Sequence, residues 1–162
     1  MIDYETYCQI RLLHGRGLSF NQIGAELGID PETAAKYAAL AEAFEEAADA
    51  PAVAAVLLHG QSDLFTAGND LADFLSPAAR ETRAAIRFLH AIAGFPKPIV
   101  AAVGGPAIGI GTTMLFHCDL VVAGEGTRFQ LPFVKLGLCP EGGSSALLPQ
   151  MAGHRLTAEL LL

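Results

Sequence analysis

The chain contains no tryptophan, three tyrosines and only three cysteines in 162 residues. The cysteines, Cys8, Cys118 and Cys139, are odd in number and lack CxxC spacing, so the sequence predicts neither a disulfide framework nor a zinc site. The five histidines have no metal-ligand spacing. His117, beside Cys118 and Asp119, lies among apolar residues, and we assign it to core packing rather than to a catalytic triad. We expect free thiols and no bound metal.

Positive charge is also scarce, with ten Lys and Arg against 17 Asp and Glu and a formal net charge of -7. This balance argues against a general attraction to nucleic acid or to an anionic membrane. The apolar run from Ile99 to Ile110 is broken by glycine and too short to span a bilayer. The first residues lack the basic start and apolar core of a signal peptide. These absences predict a cytoplasmic globular protein without a membrane contact.

The first 36 residues are predicted to form short helices separated by turns. Residues 19–37 have a helix-turn-helix layout with Gly28 in the turn, and they resemble the N-terminal segment of transposases. Glu32 at the start of the second helix would face phosphates unfavourably, and the segment holds three basic residues against five acidic ones. We expect a helical cap without a DNA role, and a DNA-binding adaptor is the alternative.

From residue 37 onward, helical and apolar segments alternate. A helix-forming stretch ends before Pro51, and apolar runs predict strands at Val53–Leu58, Ile99–Val103 and Leu120–Ala123. An amphipathic helix is predicted from about Pro77 to Ala93. This alternation predicts an α/β fold with parallel strands. The chain is therefore divided into a helix-turn-helix-like segment, residues 1–36, and a second domain, residues 37–162, that join within a helix.

Two glycine-containing loops connect strands to helices in the second domain. They are Phe65–Leu71 (FTAGNDL) and Gly104–Gly111 (GGPAIGIG), and each would expose backbone N–H groups at the start of a helix. Together with the residues that follow, they resemble the signature regions of the enoyl-CoA hydratase/isomerase (crotonase) family. The resemblance covers residues 37–162. It implies a truncated crotonase-like core of the ClpP/crotonase type, because strands that precede this region in the family and helices that follow it are missing.

The resemblance also implies a site for acyl-CoA. The backbone N–H groups of Asn69 and Ile110 would form an oxyanion hole for the thioester carbonyl. Coenzyme A would enter as part of the substrate, so no separate cofactor is expected. A homo-oligomer of the trimer type is implied, although segments that build trimers in the family are absent. Further substrate contacts are implied at Ala67, Gly68, Gly109, Gly111 and Phe133.

The catalytic acid/base is implied by a third segment. Hydratases of the family use two glutamates, and the matching positions here are Thr113 and Phe133, which cannot act as carboxylate bases. Residues 137–145 (GLCPEGGSS) resemble the loop of monofunctional enoyl-CoA isomerases, whose glutamate at the position of Glu141 moves a proton from C2 to C4. We therefore predict an isomerase that converts 3-enoyl-CoA to 2-enoyl-CoA, with Glu141 as its catalytic residue. An inactive remnant that binds acyl-CoA is the alternative.

Overall fold

The computed structural model of the protein describes residues 31–61, 63–68 and 83–162. The predicted helix-turn-helix falls almost wholly outside the described residues, and so does Asn69. The described residues belong to two compact units, which are treated separately below. One unit contains residues 31–50 and 83–95, and the other contains residues 51–68 and 96–162.

The first unit contains two helices, α1 (Pro31–Asp49) and α2 (Arg83–Ala93). Alanine and glutamate, which favour helix, make up most of α1. Its buried positions Tyr37, Ala41 and Phe44 recur at helical spacing and form one face. Because α1 runs through residues 36 and 37, the two segments predicted from the sequence meet inside one helix.

Aromatic contacts and an ion pair join α1 to α2. The ring of Phe44 meets that of Phe88 edge-on at 5.9 Å and that of Phe95 at 5.1 Å. Such ring pairs contribute about 0.5–1.5 kcal/mol beyond the area they bury. On the outer side, Arg87 donates from Nε to Glu45 at 2.7 Å and from Nη2 to the second carboxylate oxygen. Because Glu45 is half-exposed, this pair adds little to stability.

The second unit is built on short parallel strands. Its described strands are β1 (Val56–His59), β2 (Ile99–Val103), β3 (Ala107–Ile108), β4 (Leu120–Ala123) and β5 (Phe129–Gln130). The order β1-β2-β4 forms a three-stranded parallel sheet, and β3 pairs with β5 in a second parallel sheet. The predicted α/β class and the predicted bounds of β2 and β4 are confirmed.

The prediction for the first strand was wrong in two respects. The sequence predicted a buried strand over Val53–Leu58, whereas β1 begins at Val56 and leaves 62% of Leu57 exposed. Alternate side chains of a strand point to opposite faces, and those of β1 alternate between partly buried and exposed. An apolar run therefore does not require burial on both faces here.

Helices of the second unit follow the strands closely. The four-residue helix α3 (Ile110–Thr113) continues into a 3₁₀ helix, Met114–His117, and a second 3₁₀ helix spans Val134–Leu136. Two further helices are α4 (Ser144–Ala152) and α5 (His154–Leu161). They pack around a buried apolar cluster, which consists of Leu131, Phe133, Leu148 and Leu161. Within the described ranges, no helix is long and apolar enough to cross a membrane.

Candidate active site

The two glycine loops lie side by side in the second unit. The N–H groups of Phe65 and Thr66 both donate to the carbonyl of Pro106 at 3.1 Å, and Ile108 donates to the carbonyl of Thr66 at 3.0 Å. Gly68 has a φ of 86°, and a Cβ there would lie 2.7 Å from the carbonyl oxygen of Ile108. Only glycine permits this backbone to approach so closely in that conformation. The first loop is therefore fixed against the second.

Helix α3 starts at the end of the second loop, and its second residue, Gly111, lies against the first loop. Gly109 precedes the helix with a φ of 58°, and Ile110 is the first helical residue. The N–H of Ile110 belongs to the group of amides that find no acceptor within their own helix. Gly111 is buried against Thr66, because a Cβ on it would lie 2.3 Å from Thr66 Cγ2. The start of α3 and the first loop are thus in direct contact.

The carboxyl group of Glu141 contacts the other end of α3. Thr113 Oγ1 donates to Glu141 Oε1 at 2.7 Å, and the Thr113 side chain is fully buried. Burial raises the pKa of Glu141 above its usual value, and the hydrogen bond from Thr113 opposes that rise. A carboxyl group with a raised pKa can both take up and release a proton nearer to neutral pH. Glu141 therefore has the electrostatic character of an acid/base group.

The loop that carries Glu141 is anchored through its backbone. The ring Nε2 of His117 lies 2.9 Å from the carbonyl oxygen of Gly142, so the ring donates there as its Nε2–H tautomer. Ser144 donates from Oγ to the carbonyl of Glu141 at 2.6 Å. Gly142 and Gly143 have φ values of 62° and 72°, which turn the chain sharply into α4. Both ends of the turn are therefore held while the carboxyl group points to Thr113.

A comparison with known protein families places this geometry in context. The family model described as enoyl-CoA hydratase/isomerase matches residues 32–162. The chain belongs to the enoyl-CoA hydratase/isomerase family. This is the crotonase family that the two loops and the Glu141 segment resemble in sequence.

Relatives of this chain within the enoyl-CoA hydratase/isomerase family include proteins named as isomerases and proteins named as hydratases. It is 40% identical over 110 residues to enoyl-CoA delta isomerase 2 of Rattus norvegicus, covering 64% of this chain and 28% of that protein. It is 36% identical over 113 residues to a probable enoyl-CoA hydratase, EchA17, of Mycobacterium tuberculosis, covering 67% of this chain and 43% of that protein. The chain spans half or less of the length of these relatives.

Solved structures similar to this chain agree with the fold. A putative enoyl-CoA hydratase/carnithine racemase from Magnetospirillum magneticum AMB-1 superposes with a TM-score of 0.74 at 54% identity, over 78% of this chain and 50% of that chain. Pseudomonas aeruginosa OdaA superposes with a TM-score of 0.72 at 50% identity, over 79% and 52% of the two chains. The crotonase-like fold predicted from the sequence is confirmed.

The structure brings most of the predicted site residues into one region of the second unit. Ile110 lies three positions before Thr113, which contacts Glu141, and Asn69 lies outside the described residues. Phe133 is buried in the apolar cluster. Four residues of the predicted substrate contact lie in the two adjoining loops, namely Ala67, Gly68, Gly109 and Gly111. Their roles stay predictions.

Two polar residues of this site were not assigned to it from the sequence. Thr113 was noticed only as the replacement of a glutamate, yet it is the direct partner of the Glu141 carboxyl group. His117 was assigned to core packing, and the structure instead places its ring on the Gly142 carbonyl. No local pattern in the sequence signals either contact, because the partners of Thr113 and His117 lie 28 and 25 positions further along the chain. Among the described residues, no group of three His, Cys, Asp or Glu could hold a metal ion.

Proposed function

We propose that this chain carries the acid/base group of an enoyl-CoA isomerase that converts 3-enoyl-CoA to 2-enoyl-CoA. The observation that carries the proposal is the contact between Thr113 and Glu141. A hydroxyl stands where hydratases of the family place their first glutamate, and an apolar ring, Phe133, stands at the position of the second. Addition of water calls for two acid/base groups in that family, whereas a 1,3-proton shift needs one.

In the proposed mechanism, the ionised carboxylate of Glu141 removes a proton from C2 of the acyl chain. The electron pair of that C–H bond moves into a dienolate, whose negative charge rests mainly on the thioester oxygen. The protonated Glu141 then returns the same proton to C4, and the double bond ends between C2 and C3. No proton or electron is exchanged with another reactant.

Stabilisation of the dienolate oxygen is assigned to two backbone N–H groups, those of Ile110 and Asn69. Support for Ile110 comes from its place as the first residue of α3 and from the hydroxyl of Thr113, which connects the same helix to Glu141. Donors aimed at a developing negative charge are often the largest single contribution to catalysis of this kind. The glycines of the two loops leave room for the thioester next to the backbone.

The burial of Glu141 supports both halves of the reaction. An ordinary glutamate is almost fully ionised at neutral pH, but its carboxylate is a weak base toward a proton bound to carbon. Burial raises the pKa of Glu141, which makes its carboxylate a stronger base toward the C2 proton and favours retention of that proton until it is delivered to C4. We expect the acyl chain to be apolar near C4, since Leu131 and Phe133 are buried in the same unit.

The test is an isomerase assay of wild type and Glu141→Gln with a 3-enoyl-CoA substrate, read as the appearance of the conjugated 2-enoyl thioester. General acid/base groups contribute about 10²–10⁴-fold, so we expect a loss of that size. The matched control is Glu125→Gln, which changes an exposed glutamate of the same unit and should keep full activity. Equal isomerase rates in wild type and Glu141→Gln would refute the assignment. It would also be refuted if wild type added water to 2-enoyl-CoA faster than it isomerised 3-enoyl-CoA.

Binding of acyl-CoA without turnover is the second candidate, and one observation favours it. This chain covers only 28% of the rat isomerase and 43% of the mycobacterial hydratase, so the turnover of those whole proteins is not carried over to it by similarity alone. Saturable calorimetric binding of an acyl-CoA together with no turnover by wild type would select this candidate. The homo-oligomeric state expected from the family is measured in the same samples by light scattering.

A further inference from the structure

The side chain of Thr113 has two possible acceptors for a single hydroxyl hydrogen. Its Oγ1 lies 2.7 Å from Glu141 Oε1 and 3.4 Å from the carbonyl oxygen of Ile110. The side chain is fully buried, so water does not compete for either bond. A hydroxyl is at once a donor and an acceptor, and rotation about its C–O bond chooses between the two acceptors.

We propose that Thr113 is a positioning residue that gives Glu141 a hydrogen-bond partner in both of its protonation states. When Glu141 is ionised, Thr113 donates its hydrogen to Oε1. When Glu141 is protonated, the carboxyl donates to Thr113 Oγ1, and Thr113 turns its own hydrogen to the Ile110 carbonyl. The inference rests on the proposed function, because it assigns a partner to the acid/base group of that reaction. The proton on Glu141 stays there throughout the rotation.

This arrangement fits a group that must act as base and as acid within one turnover. A donor without an acceptor site, such as a lysine, would favour only the carboxylate and weaken the return of the proton. A second carboxylate at position 113 would disfavour ionisation of Glu141 through repulsion between like charges. A hydroxyl serves both states and keeps the carboxyl group in one place while its charge changes. It thereby avoids leaving a buried polar atom unpaired at either stage.

The other titratable groups on the elements around Glu141 are limited in the described part of the unit. The ring of His117 contacts the carbonyl of Gly142, in the same loop as Glu141. Cys139, two residues before Glu141, is exposed. Cys118 follows His117, and burial and the nearby Asp119 raise its pKa to about 11, so it stays neutral in the physiological range. Burial and the Thr113 hydroxyl are therefore left as the main influences on Glu141.

The experiment measures the isomerase rate as a function of pH for wild type, Thr113→Val and Thr113→Ser. Valine keeps the shape and removes the hydroxyl, so the pKa of Glu141 should rise further. Loss of a hydrogen bond to a charged carboxylate lowers the acidity constant of that carboxyl group by about tenfold. We therefore expect Thr113→Val to be slower than wild type at every pH, because Glu141 loses its partner in both states, and to lose about tenfold more rate on the acidic limb than on the alkaline plateau. Serine should restore the wild-type profile.

A direct titration separates this inference from the proposed function. The carboxyl carbon of Glu141, labelled with ¹³C and assigned from Glu141→Gln, reports its pKa by NMR without any turnover. A higher pKa of Glu141 in Thr113→Val than in wild type supports the role of Thr113 even where the isomerase assay fails. An unchanged titration, or a rate loss of equal size at every pH, would overturn it. Thr113→Ala replaces the valine variant if valine prevents folding.

Discussion

The contact between Gly111 and Thr66 is a direct test of how the two loops are packed. A Cβ at position 111 would lie 2.3 Å from Thr66 Cγ2 and 3.1 Å from the Thr66 carbonyl oxygen. Carbon atoms normally approach to about 3.5–4.0 Å, so Gly111→Ala forces a shift of more than an ångström. In an open helix the same change stabilises by up to about 1 kcal/mol. Here we expect the opposite sign, a loss of about 1–3 kcal/mol from overpacking.

Thr66→Ser makes the prediction specific, because it removes the methyl group and keeps the hydroxyl that accepts the Gly68 N–H at 3.2 Å. The double variant should recover part of the loss, and the remaining 3.1 Å contact with the backbone limits that recovery. The assay is urea unfolding with an unchanged slope, and a double-mutant cycle gives the coupling, expected at about 1–2 kcal/mol. Gly124→Ala, whose Cβ would meet nothing closer than 3.7 Å, is the control. Additive effects of Gly111→Ala and Thr66→Ser would refute the packing.

Two further predictions concern the titratable groups of the second unit. Burial raises the pKa of Glu141, so the folded protein holds more protons than the unfolded chain between the ordinary value of 4.5 and the folded value, and its stability falls as pH rises through that window. Glu141→Gln should remove this fall, and parallel melting curves of the two proteins against pH would contradict it. Cys139 is exposed while the pKa of Cys118 is raised to about 11, so iodoacetamide at a pH of about 8 should modify Cys139 much faster, as mapped by mass spectrometry. Equal rates would contradict the burial of Cys118.

The sheet of the second unit was largely predictable, because its signals are local. β2 and β4 are short apolar runs bounded by glycine, proline or polar residues, and each strand has the predicted bounds. Their parallel pairing followed from the alternation of helices and strands, which leaves no tight turn to reverse the chain. The exposure of Leu57 was not predictable, since it depends on what covers that face of the sheet, which the local sequence does not show. The two-residue strands β3 and β5 are too short to show a period.

The candidate site was only partly predictable, because its contacts join distant positions. The two loops could be identified in the sequence from their glycines. The backbone hydrogen bonds that join Thr66 to Pro106 and Ile108 depend on the tertiary structure and could not be predicted. The hydrogen bond from Thr113 to Glu141 spans 28 positions and leaves no periodic trace in the sequence. The contact of His117 with the Gly142 carbonyl was not predictable either, because the apolar neighbours of His117 in sequence give no sign of it.

In the candidate site, Thr113 and Phe133 occupy the two positions where the family resemblance places the carboxylates of hydratases, and the carboxyl group next to Thr113 is that of the partly buried Glu141. Two neighbouring carboxylates cannot both be ionised at low cost, so in such a pair each proton affinity depends on the other. With a hydroxyl instead of a carboxylate at position 113, Glu141 has no such pair there, and its pKa is raised by burial and lowered by the hydrogen bond from Thr113. Burial of the ionised form costs stability, and this cost falls at a position whose carbonyl is bound by Ser144 and whose next residue, Gly142, is bound by His117. A residue kept at such a cost and so firmly anchored is more easily explained by chemistry than by packing.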